Sequence, residues 1–127
     1  MSEMRAQVRL ATDAFEFWTD ERCHIRELSN GDHDPEVSVA QARVEPGVTT
    51  SWHRLDGITE RYCILSGQGR VEVGELPAQT VGPGDLVLIP AGCRQRIHNA
   101  GDSDLIFLAI CSPRFRREAY RNLSAND

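Results

Sequence analysis

Two glycine-bounded segments with matching polar positions constrain the fold of this chain most strongly. The first runs from Gly47 to Gly67, and the second runs from Gly84 to Gly101. Each begins at a turn glycine and carries isolated polar side chains in a mostly apolar strand pattern. Because glycine supplies the positive φ angles that tight reversals need, the pattern favours hairpins of short strands over helices.

Short apolar segments recur along most of the chain between clusters of Gly, Pro, Asn and Asp. This spacing is typical of a small β-sandwich or barrel, so the sequence predicts an all-β protein. The predicted strands cover 7–10, 22–28, 36–45, 48–54, 60–66, 69–74, 79–81, 86–89, 94–99 and 104–111. Only the ends differ, since a helical turn is expected within 11–18 and a short helix within 114–123.

Length and composition indicate one ordinary globular domain. A chain of 127 residues with 40% apolar and 26% charged residues excludes disordered, coiled-coil and collagen-like classes. The longest apolar run, 105–111, has the length of a strand and not of a membrane span. The N-terminus lacks the apolar core of a secretory signal. We therefore expect a cytoplasmic protein without membrane contact.

Cysteine spacing and net charge exclude two further classes. The four cysteines, at 23, 63, 93 and 111, have no C-x-x-C spacing, so reduced thiols are expected instead of a disulfide scaffold or zinc ribbon. The net charge of -5 argues against nucleic acid as a partner, because duplex binding needs a basic stripe.

Positive charge is concentrated near the C-terminus, at Arg114, Arg116, Arg117 and Arg121. The chain has no lysine, which excludes a lysine Schiff base or a lysine general base. The ordinary interpretation of the arginine cluster is a solvated face. An arginine fork remains able to bind a carboxylate or a phosphate.

Strand alternation brings three polar side chains of the first segment together. If 60–66 is a strand, Glu60 and Tyr62 share one face. Pairing of 53–55 with 60–62 across the intervening turn places His53 near them, inside the barrel. An imidazole and a carboxylate on adjacent strands suit a divalent transition metal.

The two segments together resemble the two motifs of the cupin superfamily, G(x)5HxH(x)3-4E(x)6G and G(x)5PxG(x)2H(x)3N. The matching positions are Gly47, His53, Glu60, Gly67, Gly84, Pro90, Gly92 and Asn99. The resemblance spans 47–99, and the strand pattern extends it over most of 36–111. It implies a double-stranded β-helix, also called a jelly-roll or cupin barrel, with a polar pocket at one mouth.

The resemblance also implies a metal site, and two positions depart from it. His53 and Glu60 stand at ligand positions, but Leu55 takes the place of the second histidine and Gln95 that of the third. A glutamine oxygen is a weaker donor that still ligates a hard or borderline cation. The expected metal ligands are therefore His53, Glu60 and Gln95, around a divalent ion such as Fe, Mn, Zn or Ni.

Other interpretations of these residues remain open. Tyr62 is a candidate to compensate for Leu55, as a ligand or as a base, and His98 reaches the pocket only with a bulge or a shifted register. His53 alone also fits a hydrogen-bonded pocket histidine. Glu60 also fits a buried carboxylate satisfied by Arg61, by Arg96 or by a backbone donor.

The leading functional hypothesis is a metal-binding cupin that acts on a small oxygen-rich metabolite. The metal acts as Lewis acid in dioxygenase, isomerase or lyase chemistry, while Glu60 or Tyr62 moves a proton. The alternative is a non-catalytic barrel that binds a sugar or metabolite and has a degenerate metal site. The sequence does not decide whether the protein is an enzyme.

The expected organisation is a single barrel with two extensions. Residues 1–35 form an N-terminal extension that contributes edge strands, residues 36–112 form the barrel, and residues 113–127 form a short helix and tail. Open sheet edges invite pairing, and the segment 21–28 is expected to cover an edge of a partner. The resemblance also implies a homodimer.

Overall fold

The computed structural model describes residues 4–124, and this part of the chain forms eleven β-strands. They are β1 Phe17–Trp18, β2 His24–Gly31, β3 Asp34–Val44, β4 His53–Leu55, β5 Thr59–Ser66, β6 Gly69–Val73, β7 Gln79–Val81, β8 Leu86–Ile89, β9 Gln95–Asn99, β10 Leu105–Ser112 and β11 Tyr120–Asn122. Two single-turn 3-10 helices lie at Ala11–Asp13 and Arg117–Ala119. No helix in the described range has the length and apolar character needed to cross a membrane.

The strands form two antiparallel sheets that face each other. The six-stranded sheet has the order β1-β2-β3-β10-β5-β8, and the five-stranded sheet has the order β11-β4-β9-β6-β7. From β3 to β6 and from β7 to β11, successive strands alternate between the sheets. The predicted pairing of 53–55 with 60–62 is therefore wrong, because β4 pairs with β9 and β11 while β5 pairs with β8 and β10. The expected all-β jelly-roll barrel is confirmed.

Side-chain alternation along the strands builds the core between the sheets. In β5, Glu60, Tyr62 and Ile64 are buried while the intervening side chains face outward, as a period of two requires. Large aliphatic side chains such as Ile97 and Leu105 are fully buried, and each contributes about 1.5–3 kcal/mol of hydrophobic free energy to folding. The polar residues of β5 thus lie at one end of an otherwise apolar interior.

The ends of the chain differ from the sequence prediction. The expected strand at 7–10 has no regular structure, and the expected helix within 114–123 is one 3-10 turn followed by β11. The strand forms because β11 pairs with β4, with Tyr120 opposite Leu55, and sheet pairing outweighs local helix propensity. Residues 1–3 and 125–127, which belong to the predicted extensions, lie outside the described residues.

The N-terminal extension also pairs within its own chain. Strand β2, which contains most of the segment 21–28, pairs with β3, so that this segment covers an edge of its own barrel. Strand β1 pairs with β2 and forms the outer edge of the six-stranded sheet. The loop between β1 and β2 is thereby brought to the polar end of the barrel.

Candidate functional site

The four residues that the sequence singles out lie together inside the barrel. His53 on β4 is the register partner of Gln95 on β9, and the Tyr62 hydroxyl donates a hydrogen bond to Oε1 of Gln95. Glu60 precedes Tyr62 on the same buried face of β5. All four side chains are buried, with Gln95 only 1% exposed. This polar cluster therefore connects the two sheets.

His53 is held by its backbone and by an aromatic neighbour. Its Nδ1–H donates to the Ser51 carbonyl at 2.8 Å, and its ring stacks on Tyr120 with centroids 5.0 Å apart. Because a carbonyl only accepts, this contact places a proton on Nδ1. In the neutral ring, Nε2 is therefore the nitrogen with a free lone pair.

Glu21 faces Nε2 of His53, although neither sequence motif includes Glu21. Its Oε2 lies 3.6 Å from Nε2 of His53, and its side chain is 27% exposed. The loop is fixed by a hydrogen bond from Ser51 N to Glu21 O at 3.1 Å, next to Arg22 at a φ of 72°. Glu21 precedes both motifs in the sequence, so only the pairing of β1 with β2 reveals it.

Glu60 is a buried carboxyl group with an unsatisfied oxygen. It is 8% exposed, and its Oε1 has no hydrogen-bond partner within residues 4–124. Burial raises the pKa of Glu60 to about 8, and the charge of Glu21 adds to this effect. Hydrogen bonds with Gln95 and Cys111 act in the opposite direction. At neutral pH, Glu60 therefore carries a proton most of the time.

Neither Arg61 nor Arg96, the two arginines that the sequence offers as partners for Glu60, reaches it. Arg61 donates to the Ser112 hydroxyl at 2.7 Å, and Arg96 pairs with Glu72 at 2.9 Å. Both arginines project from the outer face of the barrel, in phase with the exposed side chains of their strands. The carboxyl group is thus left without a compensating cation among these residues.

Tyr62 and Gln95 form a network next to Glu60. Burial raises the pKa of Tyr62 well above its usual range, and the nearby charge of Glu60 adds to this. The phenol therefore stays neutral and remains a hydrogen-bond donor to Gln95. This geometry favours Tyr62 as a residue that positions Gln95, which in turn contacts Glu60.

Leu55 and His98 do not complete a set of polar ligands. Leu55 is 3% exposed and packs with Ile58 and Cys111 in an apolar cluster. His98 alternates out of phase with Gln95 on β9, and its Nδ1 lies 2.7 Å from the Thr49 hydroxyl. The firm register of β9 keeps His98 away from Glu60, because a one-residue slip would expose the entire buried face.

A cleft of about 1120 Å³ opens beside this cluster. Its walls come from β1, β2, β3, β5 and β10 and from the segment after β10. The residues that carry chemistry or flat apolar surface there include Phe17, Trp18, Glu21, Glu60, Phe115 and Tyr120. Its volume exceeds that of most small-molecule pockets, which reach about 1,000 Å³. The cleft therefore has room for a metabolite that reaches both carboxyl groups.

The donor atoms do not reproduce the metal-ligand set of the two motifs. Among the described residues, no group of three or more His, Cys, Asp or Glu side chains is arranged to hold a metal ion. Gln95 Oε1 already accepts from Tyr62, and Leu55 supplies no donor. The unpartnered Oε1 of Glu60 and the free lone pair on Nε2 of His53 are features that would suit a cation.

Two facing antiparallel sheets with a buried polar cluster at one end define a small jelly-roll domain. A family model described as the cupin domain matches residues 40–111, which is more than half of the chain. The chain therefore belongs to the cupin family. No curated protein matches the chain in sequence.

Solved structures with the same fold include several bacterial proteins. KdgF from Halomonas sp. has a TM-score of 0.77 at 13% identity, covering 90% of this chain and 98% of its own. Pac13, described as a nucleoside dehydratase and also solved from Streptomyces with uridine, has a TM-score of 0.77 at 18% identity, with 94% and 92% covered. A Thermotoga maritima protein described as a predicted oxalate decarboxylase has a TM-score of 0.75 at 22% identity, with 84% and 99% covered. At these identities the likeness establishes the fold.

Proposed function

We propose that this protein is a cupin enzyme that moves protons on a small oxygen-rich molecule bound in the cleft. The observation that carries the proposal is Glu60, a buried carboxyl group that lines the cleft and has an unpartnered oxygen. A side chain of this kind costs folding free energy. Such a cost is typical of a catalytic acid or base, whose pKa is tuned by burial.

The roles of the two proton-transfer groups follow from their surroundings. Protonated Glu60 donates a proton to a leaving hydroxyl or to an oxygen of the substrate. Nε2 of His53 accepts a proton from the substrate, because Nδ1–H is already donated to Ser51. Glu21, 3.6 Å from Nε2, stabilises the positive charge that His53 then acquires.

Glu60 lines the cleft, and His53 lies 3.6 Å from Glu21, a second carboxyl group of the cleft wall. An acid and a base so placed suit elimination or isomerisation, in which one proton leaves the substrate and another is delivered. Of the three reaction classes expected from the sequence, lyase and isomerase chemistry therefore have stronger support than dioxygenase chemistry. The fold shared with Pac13, described as a nucleoside dehydratase, is in keeping with an elimination.

The experiment is solvent-deuterium exchange. Pools of nucleosides, sugar acids and hydroxy acids are incubated with the protein in D2O and followed by ¹H NMR and mass spectrometry. Wild type should label or dehydrate one compound, and Glu60→Gln should abolish this, while Glu72→Gln on the outer face should not. Binding without exchange in wild type would instead support the non-catalytic alternative, a barrel that holds a sugar or metabolite.

A metal-dependent version of the enzyme is the second candidate. His53, Glu60 and Gln95 would hold a divalent transition metal, which would supply Lewis-acid polarisation of a substrate oxygen. The unpartnered Oε1 of Glu60 favours it. Elemental analysis of protein purified without a histidine tag should then find a metal that His53→Ala combined with Glu60→Ala removes. Equal metal content in both proteins would contradict this candidate.

A homodimer is proposed from the outer face of the six-stranded sheet. Leu65 on β5 and Leu86 and Leu88 on the edge strand β8 are exposed, with Leu86 at 64%. Exposed apolar side chains on neighbouring strands are typical of an association surface. Sedimentation should give twice the mass of the 14.2 kDa chain, and Leu86→Glu combined with Leu88→Glu should give the single chain.

A further inference from the structure

The cleft is lined by charges of both signs, namely three arginines and the five acidic side chains Asp20, Glu21, Glu27, Glu60 and Glu118. Arg114, Arg116 and Arg117 line the same cleft as Glu21 and Glu60. Arg116 and Arg117 are exposed, and within residues 4–124 neither of them belongs to an ion pair. Two adjacent arginines without an ion-pair partner in the described part of the chain thus line the same cleft as Glu60.

At least six of the twelve other arginines form ion pairs with a carboxylate. Those that form ion pairs with Asp or Glu are Arg43, Arg54, Arg94, Arg96, Arg114 and Arg121. The chain has a net charge of -5, so carboxylates are available for pairing. Glu118 lies next to Arg117 and also lines the cleft, yet it forms no ion pair with either arginine in the described part of the chain.

Arg114 fixes the segment that presents these side chains. Its Nη1 donates to Asn30 Oδ1 at 3.1 Å, and its Nη2 lies 3.4 Å from Asp32 Oδ1. Its backbone N–H donates to the Pro35 carbonyl at 3.2 Å. The Phe115 N–H, one residue later, donates to the Ser38 hydroxyl at 2.8 Å. Arg116 and Arg117 therefore extend from a backbone that is anchored to β2 and β3.

We propose that Arg116 and Arg117 bind a carboxylate or phosphate group of the substrate, while its oxygen-bearing carbons reach Glu60. A guanidinium fork matches either oxyanion, and Phe17, Trp18 and Phe115 offer flat apolar surface along the cleft. The substrate class is therefore a small hydroxylated molecule with one terminal oxyanion, such as a sugar acid or a sugar phosphate. This inference rests on the proposed function for the role of Glu60.

The test measures anion binding separately from catalysis. Inorganic phosphate and malonate are titrated into ¹⁵N-labelled full-length protein and followed by ¹H–¹⁵N correlation spectra. Arg116→Gln combined with Arg117→Gln should raise the dissociation constant of the preferred anion about tenfold, because the charge-assisted contacts are lost. The matched control, Arg70→Gln, changes an exposed arginine on β6 of the other sheet and should bind as wild type does.

A second comparison separates this inference from the proposed function. Glu60→Gln should keep wild-type anion affinity even though it loses proton transfer. Preference for phosphate would indicate a phosphorylated substrate, and preference for malonate a carboxylic acid. The proposal is overturned if wild type shows no saturable binding of either anion, or if the double arginine variant binds both as tightly as wild type while its spectrum shows a folded protein.

Discussion

Glu21 and His53 meet across the mouth of the barrel, with the carboxylate Oε2 3.6 Å from the imidazole Nε2. Glu21 lies in the loop between β1 and β2, outside residues 40–111, to which the cupin family model matches. A backbone hydrogen bond between Ser51 and Glu21 holds that loop against the strand that carries His53. The N-terminal hairpin is therefore part of the candidate site.

Replacing Glu21 should change the proton affinity of Glu60. The charge of Glu21 contributes to the raised pKa of Glu60, because a nearby negative charge disfavours ionisation. In Glu21→Gln, we expect the pKa of Glu60 to fall below the value of about 8 that it has in wild type. Carboxyl ¹³C NMR of selectively labelled glutamate measures it, and Glu27→Gln serves as the control. An unchanged titration of Glu60 would show that the two groups are not coupled.

Glu60 should make folding stability depend on pH. Its pKa rises from an ordinary 4.5 to about 8 in the folded protein, so the folded state binds its proton more tightly than the unfolded chain. Stability is therefore greatest below the ordinary pKa and falls as the pH rises toward 8, by up to about 1.4 kcal/mol per pH unit. Glu60→Gln should match wild type near pH 5 and exceed it near pH 8 in urea denaturation. Parallel pH profiles of the two proteins would contradict the assignment.

Restoring the second motif histidine should create metal affinity. Leu55 shares the buried face of β4 with His53, so Leu55→His places a second imidazole at the same end of the barrel. Loss of packing and burial of the ring should destabilise the protein by about 1–3 kcal/mol. Titration with Co²⁺ should nevertheless show at least about tenfold tighter binding than wild type. Arg54→His, on the outward face of the same strand, should gain nothing.

Substitution by alanine should destabilise the protein much more at Gly67, a motif glycine, than at Gly57, a turn glycine. Gly67 has a φ of 84°, and a Cβ there would lie 2.6 Å from the Asp104 carbonyl oxygen. Gly57 has a φ of 74° with no atom within 4 Å of its Cβ position. Gly57→Ala should therefore cost only the left-handed backbone penalty of about 1–2 kcal/mol. Gly67→Ala should cost clearly more in urea denaturation, since the backbone of Asp104 must move.

Much of the barrel was predictable from the sequence because strand periodicity and turn chemistry are local. The motif positions of His53 and Glu60 on one segment, and of Gln95 on the other, predicted residues that the structure brings together inside the barrel. All four cysteines are free thiols, as their spacing indicated. Alternation along β5 also separated the buried Glu60 and Tyr62 from outward-facing Cys63.

Sequence reasoning failed where long-range pairing determines structure. The segment 114–123 has local helical character, but β11 forms because the edge of β4 offers unpaired backbone groups. Glu21 belongs to no motif and to no periodic pattern of the sequence. It comes close to His53 because β2 pairs with β3, which positions the loop between β1 and β2. The predicted ligand Gln95 likewise gained its contact with Tyr62 only in the packed barrel.

The sequence by itself thus determined the all-β class and the identity of His53, Glu60, Tyr62 and Gln95 as polar residues of the interior. The class, His53, Glu60 and Tyr62 follow from alternation with a period of two and from glycine turns, which act over a few residues, and Gln95 follows from the resemblance to the cupin motifs. Only the tertiary structure determined the protonation of Glu60, the approach of Glu21 to His53 and the open cleft lined by Arg116 and Arg117. Burial and charge proximity act through space, between residues that the chain brings together only when it folds.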